Sequence, residues 1–282
     1  MAAQIARHYG IKHVVRHVTR SEFEADLPQI MAAMDQPSID GVNAWYAAKA
    51  VAENGLKVVI SGVGGDELFL GYDIFKQVPP LVSIAQAAGR IPGGMRLANL
   101  GASMQAKRTG NKRWLHAPQW LQTVGGGWWL RRSTHAPEDL PALMGSGIED
   151  IVAATFAPDY WLAEMVGRLP SDPFLALAKI ESMTYLRNQL LRDSDWASMA
   201  HSVELRTPLV DAHLLKELGP ILGYFKRFPH KALLAHSPKR PLPTEILNRK
   251  KTGFGIPINK WLTQQAAYTE SWQQQVIDGI YK

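Results

Sequence analysis

The chain has 282 residues, 46% hydrophobic and 20% charged, enough for one large domain or two small ones. Its 31 basic against 25 acidic side chains leave a net charge of +6, which suits anionic ligands but is too modest at this length to argue for a nucleic-acid partner. It holds no cysteine, which excludes disulfides, thiolate metal sites and a thiol nucleophile.

The N-terminal stretch MAAQIARHYGIKH lacks a secretory apolar core, and no apolar run long enough to span a bilayer follows it. The expected setting is cytoplasmic, with no membrane partner. Residues 3–9 read as the end of a helix stopped at Gly10, and residues 12–19 alternate as a strand does. Ser21 is placed as the N-cap of a helix, with Glu24 at the capping-box position and Phe23, Leu27, Ile30 and Met34 on one face. That helix ends near Asp35-Gln36-Pro37, and a second runs from about Asn43 to Glu53.

There follows Lys57-Val-Val-Ile-Ser-Gly-Val-Gly-Gly-Asp-Glu-Leu-Phe-Leu-Gly-Tyr72. Consecutive Val58, Val59 and Ile60 predict a parallel strand covered on both faces. Ser61 ends it. Gly62, Gly64 and Gly65 permit a tight turn and close backbone approach to a ligand, and the next residues start a helix whose free N–H groups face that ligand. Such a turn favours an anion. Asp66 and Glu67 would repel a phosphate unless a divalent cation lay between them, and magnesium is the natural bridge. The competing reading is that both acids merely favour the positive end of the helix.

Beyond Tyr72 the pattern is helical. Pro79-Pro80, Gly93-Gly94 and Gly125-Gly126-Gly127 read as breaks, and Trp114, Trp120, Trp128, Trp129 and Trp161 as core packing groups. Lys107, Arg108, Lys112 and Arg113 read as a solvated loop. Asp172-Pro173 forms an N-cap and first-turn pair for a long helix bearing Phe174, Leu177, Ile180 and Met183. Asp193 with Asp195, and Glu204 with Arg206, read as a polar network fixing loops against the helices. Only His13 and His17 share a four-residue spacing, without a His-Glu-x-x-His pattern, so zinc is not expected.

Three stretches carry a family resemblance. SGVGGDELFLGY (61–72) resembles the Ser-Gly-x-Gly-x-Asp-Glu-Leu-Phe-x-Gly-Tyr signature of the asparagine synthetase family, in its ATP-dependent synthetase domain. SMAHSVELRTPLVD (198–211) and RKKTGFGIP (249–257) resemble two further blocks of that family, in the same order. The stretch from Asp35 to Asp40 resembles its Asp-Glu-Pro-x-x-Asp segment with Gln36 in place of the usual acid, and Asn188-Gln189 stands where the family has an acidic pair.

The resemblance implies ATP and magnesium as cofactors and aspartate, or another carboxylate, as acceptor. Ser61 and Gly62 would touch the nucleotide, Asp66 would help to hold magnesium, and Lys251 would stabilise the charge that builds as carboxylate and α-phosphate meet. Val63 lies where the family keeps glutamate or tyrosine, which makes it a candidate for the acceptor pocket. Glutamine-hydrolysing members use an N-terminal cysteine in a separate domain, so ammonia would come from such a domain or from solution.

The implied fold class is α/β, an adenine-nucleotide alpha-hydrolase-like parallel sheet with a mainly helical C-terminal part. One synthetase-type domain over 1–282 would divide into a nucleotide-binding part, 1–80, and a helical part, 81–282. Only two strands are legible, near 12–18 and 57–61, and the family's Ser-Gly-Gly-x-Asp-Ser pyrophosphate loop does not occur. The chain therefore reads as an internal portion of a larger or split synthetase, with a possible partner chain supplying that loop. An amide or lactam synthetase acting on another carboxylate, and a non-catalytic subunit that binds a partner, are the alternatives.

Overall fold

The computed structural model describes residues 2–36, 38, 40–144, 158–228, 231–240, 242–247, 255–257 and 261. It divides into two compact units, one made of 1–69, 186–220 and 227–282, the other of 70–185 and 221–226.

In the first unit, the helix Ala2–Tyr9 stops at Gly10, whose φ of +68° breaks the helical path. The next helix, Arg20–Ala33, is capped by Thr19 and not by Ser21: Thr19 is extended and its Oγ1 accepts the Glu22 N–H at 3.2 Å. Ser21 thus lies inside the first turn, and Glu24 pairs with Arg20 instead of closing a capping box. The predicted helix face is present. Phe23 and Ile30 are fully buried and Met34 nearly so, packed with Val42, Trp45 and Tyr46 of the helix Gly41–Glu53 and with Trp196 and Ala197 of the helix Leu191–Met199.

The strand expected over 12–19 does not form. Residues 11–19 have no regular structure, and Ile11, Val14 and Val15 are more than half exposed. Charge ties this segment down instead. The Arg16 guanidinium bonds to Glu22 and, at 2.6 Å, to Glu53, and with Lys49 it holds the Glu22 carboxyl down at about 2.

β1, Val58–Ile60, pairs in parallel with β2, Glu204–Arg206, in the register Val58 with Glu204, Val59 with Leu205 and Ile60 with Arg206. Parallel pairing is as expected; burial is not. Val58 is 40% exposed and Ile60 73%: among the described residues the sheet has only these two strands, and the face that carries Val58 and Ile60 is open, while Val59 and Leu205 on the other face are half-buried. β2 carries no β-branched residue, which is why its sequence did not announce a strand.

The second unit is helical throughout its described residues. Pro79-Pro80 lies inside the helix Ile74–Gly89, and Gly125-Gly126-Gly127 inside the helix Val124–Arg132, so neither run is a break. The glycines serve close packing. A Cβ on Gly126 would overlap the Trp120 carbonyl, one on Gly127 would lie 2.8 Å from Val78, and one on Gly125 2.9 Å from Leu162. Trp120 and Trp128 are buried as expected, whereas Trp161 is 46% exposed. Lys107 and Arg108 end the helix Gly94–Thr109, where cations favour its C-terminus, and Lys112 pairs with Asp139, so the basic run is not a loop. Asp172 caps the helix Pro173–Glu181, its Oδ1 accepting the N–H groups of Phe174 and Leu175 at 2.9 and 3.2 Å. This helix passes through a π-helix, Ser182–Leu190, before Leu191–Met199.

Candidate functional site

The turn after β1 is built by backbone geometry. The Ser61 N–H extends the ladder to the Arg206 carbonyl at 2.8 Å, and its Oγ accepts the Val63 N–H at 3.3 Å. Gly64 has φ +93°, and a Cβ there would lie 2.6 Å from Val210 Cγ2 and 3.1 Å from the Leu209 carbonyl oxygen. Both the dihedral and the close approach require glycine. Gly65 is pressed against Leu209 in the same way, while a Cβ on Gly62 would meet nothing within 4 Å. The loop is therefore packed on its Gly64–Gly65 side and open at Gly62. The helix that follows is only one turn, Gly65–Leu68.

Its two acids are separated by burial. Glu67 is 2% exposed, whereas the Asp66 side chain is 22% exposed and meets the Lys231 ammonium, 3.0 Å from each of its oxygens. Lys231 adopts the left-handed region, φ 49° and ψ 17°, which costs a non-glycine residue about 1 kcal/mol or more. No sequence signal marked this lysine. It lies 165 positions from Asp66, in a stretch without a turn glycine, and only the fold brings the two together.

Of the candidate residues, Ser61, Gly62 and Val63 lie on the loop and Asp66 in the helical turn that follows it, and Leu209 and Val210 of the second sequence block pack against the glycines between them. Glu204 and Arg206 of that block are strand residues, ion-paired to one another at 2.7 Å on an exposed face. Lys251, with Arg249, Lys250 and Gly253, lies outside the described residues. From the third block, the Ile256 N–H donates to Asn43 Oδ1 at 3.0 Å, and Ile256 packs against the Phe23–Trp196 core.

A second polar cluster joins two stretches that the sequence left apart. Gln189 donates to Asp40 at 2.8 Å, Gln36 to the Asn188 carbonyl at 3.4 Å, and Arg192 grips Asp35 with Nε at 3.0 Å and Nη2 at 2.8 Å. Asp193 beside them is 4% exposed. Burial pushes its carboxyl up to about 6, against hydrogen bonds from Ser38 and Trp196 that favour the anion, and the nearby Asp40 charge adds to the rise.

Magnesium commonly takes one or two protein carboxylates and completes its shell with water and phosphate oxygens. Among the described residues no three His, Cys, Asp or Glu side chains gather as a metal group, but the partly exposed Asp66 fits that sparse mode. The ammonium across both its oxygens shows that this face accepts a cation.

No helix among the described residues is long and apolar enough to cross a membrane. In comparisons with known proteins, a Mycobacterium tuberculosis protein bearing the name of a glutamine-hydrolyzing asparagine synthetase is 28% identical over 281 residues, 93% of this chain and 39% of the relative. Glutamine-hydrolyzing asparagine synthetase 1 of Bacillus subtilis is 25% identical over 285 residues, 98% of this chain and 42% of the relative. An amidase of Penicillium rubens is 25% identical over 255 residues, 80% of this chain and 36% of its own. The chain thus spans about two fifths of the length of these curated relatives. No solved structure matches it. The sequence profile described as Asparagine synthase matches residues 1–278, nearly the whole chain and all three of its sequence blocks, and the chain belongs to that family.

Proposed function

We propose that the Ser61–Leu68 loop binds the phosphates of ATP and that the chain takes part in ATP-dependent amide formation. The reaction has two steps. The side-chain carboxylate of aspartate attacks the α-phosphorus and pyrophosphate leaves; ammonia then attacks the acyl carbon, loses a proton, and expels AMP to leave asparagine.

Ser61 and Gly62 contact the nucleotide at the open side of the loop, where backbone can approach closely. Asp66 presents its carboxylate to magnesium, which when bound neutralises phosphate charge. Lys251 supplies a cation where two anions must meet. Val63, half-buried beside Gly62, lines the acceptor side and offers no proton acceptor. The fold goes with this reading: a parallel β1–β2 pair ending in a phosphate turn is the start of an adenine-nucleotide alpha-hydrolase-like sheet, within a synthetase-type domain over 1–282. So does action in the cytoplasm, as part of a larger or split enzyme with an ammonia source. The observation that carries the proposal is the packing of Leu209 and Val210 against Gly64 and Gly65, which builds one turn from two distant blocks.

Aspartate-dependent exchange of pyrophosphate into ATP tests it, with the chain combined with the polypeptide that bears a Ser-Gly-Gly-x-Asp-Ser loop. Lys251→Ala is expected to lower the rate by about 10²- to 10³-fold, while Lys250→Ala stays within a few-fold. Equal losses, or exchange that ignores aspartate, count against the reading. With saturating ammonia, Val63→Glu is expected to raise asparagine formation, since a positioned base contributes on the order of 10²-fold or more; an unchanged or slower variant removes Val63 from the acceptor pocket.

A further inference from the structure

The Asp66 carboxylate already carries a cation. Nζ of Lys231 lies 3.0 Å from Oδ1 and 3.0 Å from Oδ2, so the ammonium straddles the whole face of the carboxylate. Magnesium bonded there would sit about 2.0 to 2.1 Å from an oxygen, in the space the ammonium fills. The two cations exclude one another by volume and by charge. Yet the ion pair is reached by water, with the side chains 35% and 22% exposed, and an ion pair of that kind exchanges.

The lysine is held in place from two directions. Its left-handed backbone opens the helix Ala232–His236, and Leu234 of that helix comes within van der Waals reach of the Gly65 position. One apolar and one polar contact thus pin this segment to the loop.

We propose that Lys231 makes divalent-metal binding at Asp66 conditional on a polyphosphate, a role that rests on the metal reading of Asp66 given above. A free metal ion must displace the ammonium, which then stays tethered beside a dication that repels it. A metal ion arriving on pyrophosphate or on a nucleotide tail brings oxygens for both cations. The lysine side chain is a compact point charge on a flexible stem, well suited to move between carboxylate and phosphate. Lys231 therefore disfavours the bare ion and favours the metal–phosphate complex.

The experiment uses the full chain with manganese as a paramagnetic stand-in for magnesium, titrated as Mn²⁺ alone and as preformed manganese–pyrophosphate, with binding read by electron paramagnetic resonance. Lys231→Met is expected to bind Mn²⁺ alone about tenfold more tightly and manganese–pyrophosphate about tenfold less tightly, each equal to about 1.4 kcal/mol. Lys231→Arg keeps the charge and is expected to retain the preference for the complex. Shifts of the same sign, no shift, or a Lys231→Met protein that binds no manganese overturn the proposal. Asp66→Asn separates the two layers. If it binds manganese as well as the unaltered chain does, the metal reading of Asp66 fails; if it loses manganese while Lys231→Met changes nothing, only the lysine's role is lost.

Discussion

Asp66 in the first unit and Glu181 in the second are each matched by a cation, and their surroundings are opposite. Glu181 is fully buried. Arg132 grips it with Nε at 2.8 Å and Nη2 at 2.5 Å, Trp128 donates at 2.7 Å, and the guanidinium lies 3.9 and 4.7 Å from the ring centres of Tyr185 and Tyr72. Asp66 is partly open to water, and the Lys231 ammonium lies across its carboxylate. Removing Arg132 strands a charge where water cannot reach it, whereas removing Lys231 leaves a carboxylate that water already reaches. The access of water decides whether an acid is a strut or an exchangeable ligand.

Stability measurements can break that contrast. Arg132→Met is expected to cost about 3–5 kcal/mol, the penalty of an uncompensated buried charge. Lys231→Met should cost less than about 1 kcal/mol. Urea unfolding followed by tryptophan fluorescence compares them, and equal costs would mean that the two pairs do the same job.

Asp193 sharpens the comparison, because it is buried with neutral donors, Ser38 and Trp196. Its folded pKa of about 6 lies above the ordinary 3.8, so the folded state favours the protonated acid, and ionisation between pH 4 and 6 works against folding. Asp193→Asn is expected to show no stability gain over the unaltered chain below pH 4. The gain should grow through pH 4 to 6 and level off above, at about 3 kcal/mol from about 1.36 kcal/mol per pH unit. A gain that is constant with pH would show that the carboxyl does not titrate there.

The smaller test concerns the loop that presents Asp66. Gly64→Ala meets both a left-handed backbone and the Val210 side chain, and an expected loss of about 1–3 kcal/mol in unfolding should come with weaker manganese–pyrophosphate binding. Gly62→Ala, with open space around it, should be nearly neutral for stability. If the two substitutions behave alike, the packing of Leu209 and Val210 does not shape the turn.

Helix faces were legible in the sequence because their signal is local and periodic: Phe23, Ile30 and Met34 recur at helical spacing and are buried. Asp172 was legible as a cap because its oxygen serves donors two and three residues on. Where two residues compete locally, the pattern chose wrongly, as with Ser21 for Thr19. Alternation over 12–19 was insufficient for a strand, since a strand needs a partner's N–H and C=O groups and sequence spacing cannot supply one. The Gly125–Gly127 run shows the same limit: glycine permits both a break and a close helix contact, and only the neighbouring Trp120 and Val78 decide between them.

By itself the sequence determined the family, the order of its three blocks, the strand and glycine turn at 58–65, and the absence of thiol chemistry, all of which depend on residue identity and short spacing. Tertiary structure alone decided that β2 pairs with β1, that Leu209 and Val210 press on Gly64 and Gly65, that Glu67 is buried while Asp66 stays partly exposed, and that Lys231 pairs with Asp66. The pairings among them join residues more than a hundred positions apart. Such contacts form because burial and charge pairing act through space, and no local periodicity encodes which distant side chain will arrive.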